Sequence, residues 1–422
     1  MTPLGQAKRA ADTGPMRMLH AYAGTRDPLA RHYTAEFVGS RFVDLFDREH
    51  PAGILDLGSG GGALSLAAAR RWTAADIVTV DVDQQAGARI CDSMRLVADR
   101  RHTHLQLDAL DEDLPARLAH RSFDVALCNP PYLTLPWRQG FDRILSEAGL
   151  PREARRNPSP VAAETLFVAQ ILRMAGRRAE IGVIVPDGLV SGRRARSFRR
   201  SLLSRVSVSC VIQLPRRSFS GTDAQAHIVV FRNEPGGGGD IELARLGEDG
   251  LREPIRISWE AAENRMDHEF HLPRRTSGRS TFRLCDIGAE IVRGNLSSAE
   301  ARSATQPVFH TTSFRKAPGA SVELRSDFCA DDRVGRRVAR AGDILLARVD
   351  RNLHRKVCQV AAGSAILSDC VYAIRVPNRW KRAVLNALSS PSGSEALLKT
   401  SRGVGARMLS KADLLELELE VA

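Results

Sequence analysis

At 422 residues, with 43 % hydrophobic and 26 % charged residues, the chain is too long for one ordinary domain and too apolar to be pervasively disordered. Lysine and arginine number 61 against 49 acids, a formal charge of +12, so the surface gathers polyanions, of which nucleic acid is the commonest. Seven scattered cysteines (Cys91, Cys128, Cys210, Cys285, Cys329, Cys358, Cys370) exclude a zinc ribbon and imply reduced thiols, while the lack of a signal core or of an apolar run near the roughly 18 residues of a membrane span leads us to expect a cytoplasmic protein.

Residues 1–30 are polar and punctuated by Gly and Pro, the composition of a loose lead-in. Between 34 and 46, Phe37, Val38, Phe42, Val43 and Phe46 recur at helical spacing. The apolar run 53–57 predicts a buried strand that enters Gly58-Ser59-Gly60-Gly61-Gly62, with a helix over 63–71 beyond it. A strand over 77–80 ends at Asp81. Next come a helix over 86–99, a strand over 103–107, and a strand over 123–128 that stops at Asn129-Pro130-Pro131-Tyr132. An amphipathic helix over 162–175 and strands over 180–185, 206–214 and 227–231 complete the set. The last two strands, separated only by a loop, suit an antiparallel hairpin at the sheet edge. Strands alternating with helices predict an α/β fold, a mostly parallel sheet covered by helices on both faces.

At Pro235-Gly236-Gly237-Gly238-Gly239 the pattern breaks, and 235–280 reads as a linker and connecting segment. From 281 to 422 short strands (344–347 and 370–376) mix with loops and a late helix over 381–388, an α+β second domain. No internal repeat is visible.

A glycine cluster after an apolar strand lets backbone amides approach a ligand closely, with a helix N-terminus beyond. Alone it suits nicotinamide nucleotides as well as other nucleosides. An acid closing the next strand, Asp81, can accept both hydroxyls of a ribose. The run Asp56-Leu57-Gly58-Ser59-Gly60-Gly61-Gly62 resembles the S-adenosylmethionine-binding loop of class I methyltransferases, with its D/E-x-G-x-G-x-G pattern. That resemblance implies S-adenosyl-L-methionine as cofactor, Gly58, Gly60 and Gly62 beside its methionine part, Asp81 on its ribose, and Asp108 on its adenine amine. Asp83 is expected to face solvent. Arg31-His32-Tyr33-Thr34 resembles the element that precedes this loop in adenine methyltransferases, where the Thr contacts the methionine carboxylate. There a Pro usually follows; here it is Ala35.

Asn129-Pro130-Pro131-Tyr132 carries the chemistry. An amine conjugated to a purine is a poor nucleophile because its lone pair is delocalised into the ring. Accepting both amine hydrogens, on the Asn side-chain oxygen and a proline carbonyl, draws that lone pair out for attack on a sulfonium methyl. The two prolines fix the carbonyl's aim, and Tyr132 offers a flat surface to a base taken out of the helix. From 31 to about 231, the domain read over 31–234, the chain thus resembles the N6-adenine DNA methyltransferases, particularly the modification subunits of type I restriction systems. Within Leu214-Pro215-Arg216-Arg217-Ser218-Phe219-Ser220-Gly221-Thr222 the resemblance makes Phe219 the aromatic on the other face of the target base. Glu164 and Phe167, on the following helix, read as packing.

The second domain resembles the target-recognition domain of a type I specificity subunit. Arg265-Met266-Asp267-His268-Glu269-Phe270 and Ile287-Gly288-Ala289-Glu290-Ile291-Val292-Arg293-Gly294 look like its opening, Ala341-Gly342-Asp343-Ile344-Leu345-Leu346-Ala347-Arg348 like its characteristic strand, and Ser401 to Leu414 like its close. The family reads duplex DNA in the major groove through loops. Arg348, Arg351, His354, Arg355 and Lys356 are the expected phosphate or base-edge contacts. The expectation is therefore a site-specific adenine-N6 DNA methyltransferase with its recognition domain in cis, without the long helical spacer of two-headed specificity subunits and without a nuclease motif. Double-stranded DNA, and a restriction or other defence subunit, are the expected partners. Two rivals stay open: an RNA or protein-glutamine N-methyltransferase using the same tetrapeptide, and an inactive DNA-binding scaffold.

Overall fold

The computed structural model describes residues 36–97, 101–150, 160–216, 218–219, 225–273, 280–304, 306–314, 317–324, 335–403 and 406–421. Thr34, with the element that carries it, lies outside them, as does the lead-in.

Helix α1 (Glu36–Val43) precedes β1 (Gly53–Leu57), whose five residues are all buried. The chain continues through α2 (Ala63–Arg71), β2 (Asp76–Asp81), α3 (Gln84–Arg95), β3 (His102–Gln106), α4 (Leu114–Arg117) and β4 (Val125–Cys128). A short ribbon of β5 (Thr134–Leu135) and β6 (Val161–Ala162) encloses α5 (Phe141–Glu147). Then come α6 (Ala163–Met174), β7 (Glu180–Pro186), α7 (Asp187–Ser191), α8 (Arg196–Arg205), β8 (Ser207–Gln213), β9 (Ala226–Arg232), β10 (Ile241–Gly247) and β11 (Gly250–Ile257).

One nine-stranded sheet runs β11-β10-β8-β9-β7-β4-β1-β2-β3. Parallel pairing joins β7, β4, β1, β2 and β3, while β9 opposes both of its neighbours. Side chains alternate across β1: Leu55 and Leu57 enter one core with Leu166, Phe167 and Ile171 of α6, and Ile54 enters another with Phe42, Ala68 and Ile90 from α1, α2 and α3. Both faces are thus covered, the condition under which parallel strands read as continuous apolar runs.

The structure differs from the sequence reading at the sheet's far side. β8 and β9 form the expected antiparallel pair, but β9 lies inside the sheet, and the stretch read as connecting segment supplies β10 and β11 beyond them. The edge strand β11 escaped notice because most of its residues are exposed and four are charged or proline, so no apolar run marks it. Among the described residues no helix is long and apolar enough to cross a membrane.

The C-terminal half builds on Ile344–Ala347, which pairs antiparallel with both Val357–Ala362 and Val371–Arg375 at the centre of a five-stranded sheet. One core of this half packs Ile344, Leu346 and Tyr372 against Val384 and Leu388 of helix Asn378–Ser389 and Leu397 of helix Pro391–Thr400. The two halves meet at a polar seam. Arg265 is 2 % exposed, donates twice to Asp267 at 2.7 Å, and reaches the Thr400 carbonyl at 2.8 Å. Arg402 donates to the Ser191 carbonyl, the Gly403 N–H to Asp187 at 3.3 Å, and Arg193 to Ser410 at 2.8 Å.

Candidate active site

Because β4, β1, β2 and β3 are parallel neighbours, their carboxyl ends share one edge of the sheet. The order reverses at β1, with β2 and β3 on one side and β4 on the other, which opens a crevice there. Around it stand the 58–62 loop after β1, Asp81 at the end of β2, Asp108 beyond β3, and Asn129 after β4.

Gly58 and Ser59 donate to the Val80 carbonyl at 2.8 and 3.1 Å, tying the loop to β2. The Gly60 N–H donates to Asp81 at 2.7 Å, and the same carboxylate accepts the Asp83 N–H at 2.8 Å. Asp83 itself caps α3 by accepting from Gln85. Gly60 and Gly62 both have positive φ (51° and 81°) but differ in surroundings. A Cβ at Gly62 would come within 2.5 Å of Ile90, whereas one at Gly60 would meet no described residue within 4 Å. Gly60 thus presents bare backbone to open space, as a loop that receives a ligand must.

Beneath the loop Asp56 is buried and accepts a hydrogen bond from Ser65, while its other oxygen has no partner among the described residues. Burial pushes its carboxyl up to about 7, against the pull of the Ser65 hydroxyl. Asp108 accepts the Leu110 N–H at 2.8 Å and a guanidinium hydrogen of Arg138 at 2.9 Å. Sequence reasoning missed Ser65 and Arg138, since neither lies in a motif. Ser65 stands in the first turns of α2, and Arg138 is thirty residues from the carboxylate it meets.

Asn129 follows Cys128, whose thiol donates to the Leu57 carbonyl at 3.0 Å, so the tetrapeptide leaves the sheet directly beside the glycine loop. Pro131 accepts the Leu133 N–H at 3.0 Å, and the Leu133 carbonyl accepts the N–H of Ala163 at 2.8 Å, fastening the turn to the start of α6. Tyr132 packs against the hydrophobic cluster that contains Phe219, itself 3 % exposed. Burial pushes the Tyr132 hydroxyl well up, and the charges of Glu164 and Cys128 add to it. Phe167 packs so closely on Gly58 that a Cβ there would lie 2.9 Å from its ring.

The predicted DNA contacts divide. Arg351 and Arg355 are exposed. Arg348 instead turns inward, donating to the Asp369 carbonyl at 2.5 Å, with its side chain 11 % exposed. Lys356 pairs with Asp350 at 2.6 Å and reaches the Thr311 carbonyl at 2.9 Å. Burial and the charges of Arg355 and Arg407 lower the imidazole pKa of His354. The structure therefore assigns Arg348 and Lys356 to holding the loop that carries Arg351 and Arg355.

The family described as N-6 DNA Methylase matches residues 18–241. The type II methyltransferase M.BsuBI of Bacillus subtilis is 23 % identical over 201 residues, 43 % of this chain and 38 % of that protein. The tRNA1(Val) (adenine(37)-N6)-methyltransferase of Vibrio vulnificus (strain YJ016) is 35 % identical over 86 residues, 20 % of this chain and 34 % of that one. Among solved structures, a type I restriction-modification system methyltransferase subunit from Streptococcus thermophilus is similar over 52 % of this chain and 50 % of its own, at 21 % identity and a TM-score of 0.43. The chain spans at most half the length of each of these relatives.

Proposed function

The chain belongs to the N-6 DNA methylase family, and from that membership we propose that it transfers a methyl group from S-adenosylmethionine to the N6 amine of an adenine everted from duplex DNA. The observation that carries the proposal is the junction of the two loops. The Cys128 thiol bonds to the Leu57 carbonyl, so an amine gripped at Asn129 lies next to whatever the glycine loop holds.

The residues present fit the donor. Gly60 is open above its backbone, Asp81 stands at the loop with its carboxylate already accepting main-chain hydrogens, and Asp56 keeps a buried oxygen without a partner. When bound, S-adenosylmethionine supplies a methyl group on a sulfonium sulfur. Gly58, Gly60 and Gly62 would flank its methionine part, Asp81 its ribose, and Asp108 its adenine amine, with Arg138 holding that carboxylate in place. The Asn129 side-chain oxygen and a carbonyl of the Pro130-Pro131 pair accept the two amine hydrogens and turn the nitrogen lone pair out of the ring. Tyr132 and Phe219 confine the base between them and exclude water. Positioning of this kind lowers the barrier without any group of the protein bonding covalently to the base.

The C-terminal half, from about residue 281, is the target-recognition unit in this reading, with Arg351 and Arg355 facing the duplex. Its partners are double-stranded DNA and a further subunit of a restriction-modification or related defence system. It works in the cytoplasm. The test is modification-aware sequencing of plasmid DNA from cells expressing the wild type or Asn129→Ala. Methylated adenine in one short motif, lost in the variant, is expected. Unmodified plasmid from the wild type, with methyl transferred in vitro to RNA instead, would overturn the DNA assignment.

A further inference from the structure

Glu164, read from the sequence as packing, occupies a position that packing does not account for. It lies in the first turn of α6 and is 8 % exposed, yet no side chain among the described residues pairs with its carboxyl group. Two contacts fix its surroundings. The residue before it, Ala163, donates to the Leu133 carbonyl at 2.8 Å, which joins the start of α6 to the chain immediately after Tyr132. Phe167, three residues on and so on the same side of the helix, packs on Gly58 of the glycine loop. Glu164 thus stands between the catalytic turn and the loop proposed to hold the methyl donor. Its charge reaches Tyr132, the titratable group that faces it from the turn.

The reaction needs a group in this place. The amine enters with two hydrogens. As the bond from nitrogen to the methyl carbon forms and the bond from carbon to sulfur breaks, the nitrogen becomes positively charged. It regains neutrality by losing one proton. Asn129 can accept a hydrogen bond from that proton but cannot hold it, because a carboxamide oxygen is far too weak a base. We propose that the Glu164 carboxylate takes this proton from the methylated amine, directly or through one water, and passes it to solvent. The inference rests on the methyl-transfer reading above. Burial pushes the Glu164 carboxyl up to about 7, its own main-chain N–H pulling the other way, so near neutral pH the group can both accept and release a proton.

The test uses the full chain with S-adenosylmethionine and plasmid DNA carrying the modified motif. Three quantities are measured for the wild type, Glu164→Gln and Glu164→Asp: the single-turnover rate against pH, the calorimetric affinity for S-adenosylmethionine, and the infrared carboxyl band of the ligand-free protein. In the wild type the rate should rise with pH through about 7, as the carboxyl ionises. Glu164→Gln should lower the rate roughly 10²-fold and flatten that rise, Glu164→Asp should keep the rise, and both should bind S-adenosylmethionine with near wild-type affinity. The ligand-free wild type should show a protonated-carboxyl stretch that fades above neutrality and is weaker in Glu164→Gln. A wild-type rate and pH rise in Glu164→Gln would overturn the proposal. So would a loss of cofactor affinity that matches the loss of rate, since Glu164 would then be holding the donor's ammonium group. A wild type that transfers methyl to neither DNA nor RNA defeats the underlying reading instead, and is told apart by the control alone.

Discussion

Replacing Arg265 with Met should unfasten the seam between the two halves. Its guanidinium is 2 % exposed and meets Asp267, 7 % exposed, through two hydrogen bonds of 2.7 Å, while a third reaches Thr400 at 2.8 Å. Its loss leaves a buried carboxylate without its cation, which costs about 3–5 kcal/mol, and a buried carbonyl without a donor, about 1–3 kcal/mol more. The sum, about 4–8 kcal/mol, is comparable with the whole stability of an ordinary domain. Arg265→Met with Asp267→Leu should recover the first part, because a buried ion pair replaced as a unit is often neutral. Urea unfolding followed by tryptophan fluorescence measures both. Burial pushes the Asp267 carboxyl up, but the charge and hydrogen bonds of Arg265 outweigh it and hold the group below the ordinary range. The pair's contribution is therefore present above the unfolded carboxyl pKa and lost as pH falls through the folded one, a dependence the double variant should lack. A single variant that loses less than about 1 kcal/mol, or a double variant no more stable than the single, would refute the reasoning.

Three further outcomes are expected. Gly60→Ala should weaken S-adenosylmethionine binding by calorimetry while costing the ligand-free fold only about 1–2 kcal/mol, since only the left-handed backbone resists it. Gly62→Ala should in addition destabilise the ligand-free protein by about 1–3 kcal/mol, because its Cβ collides with Ile90; equal stabilities would contradict the assignment of Gly62 to the helix packing. Asp56, whose carboxyl burial raises to about 7, stabilises the ligand-free fold below the unfolded carboxyl pKa, and that contribution is lost as pH rises through about 7. Asp56→Asn should flatten the fall in melting temperature over that window, and an unchanged slope would assign it elsewhere.

The sequence made the central strands legible for a physical reason. Strands buried on both faces need nearly continuous apolar runs, and β1, β4 and β7 supply them, so the loops at their ends could be located from the chain alone. The hairpin of β10 and β11 could not be, because an exposed edge strand tolerates Arg252, Glu253 and Pro254. Helix Pro391–Thr400 was missed as well, since its Pro-Ser-Gly-Ser start reads as a turn until Ser390 is seen to cap it. Arg348 and Arg355 look alike in sequence, and only the fold distinguishes the one paired with Asp369 from the one left exposed. Glu164 carries no spacing signal. Its surroundings come from residues thirty and a hundred positions away, brought to it by the ribbon of β5 and β6 and by the glycine loop.

If the C-terminal half is the target-recognition unit proposed above, the contacts of Thr400, Arg402 and Gly403 with Arg265, Ser191 and Asp187 bear on how its target site can be exchanged. An exchange of everything past residue 273 keeps Arg265 and Asp267 together but strips away the Thr400 carbonyl that meets Arg265 and the Arg402 guanidinium that meets Ser191. A transplanted unit will therefore dock in register only if it brings its own equivalents of those three positions. The loop of Arg351 and Arg355 lies outside that set and is free to diverge.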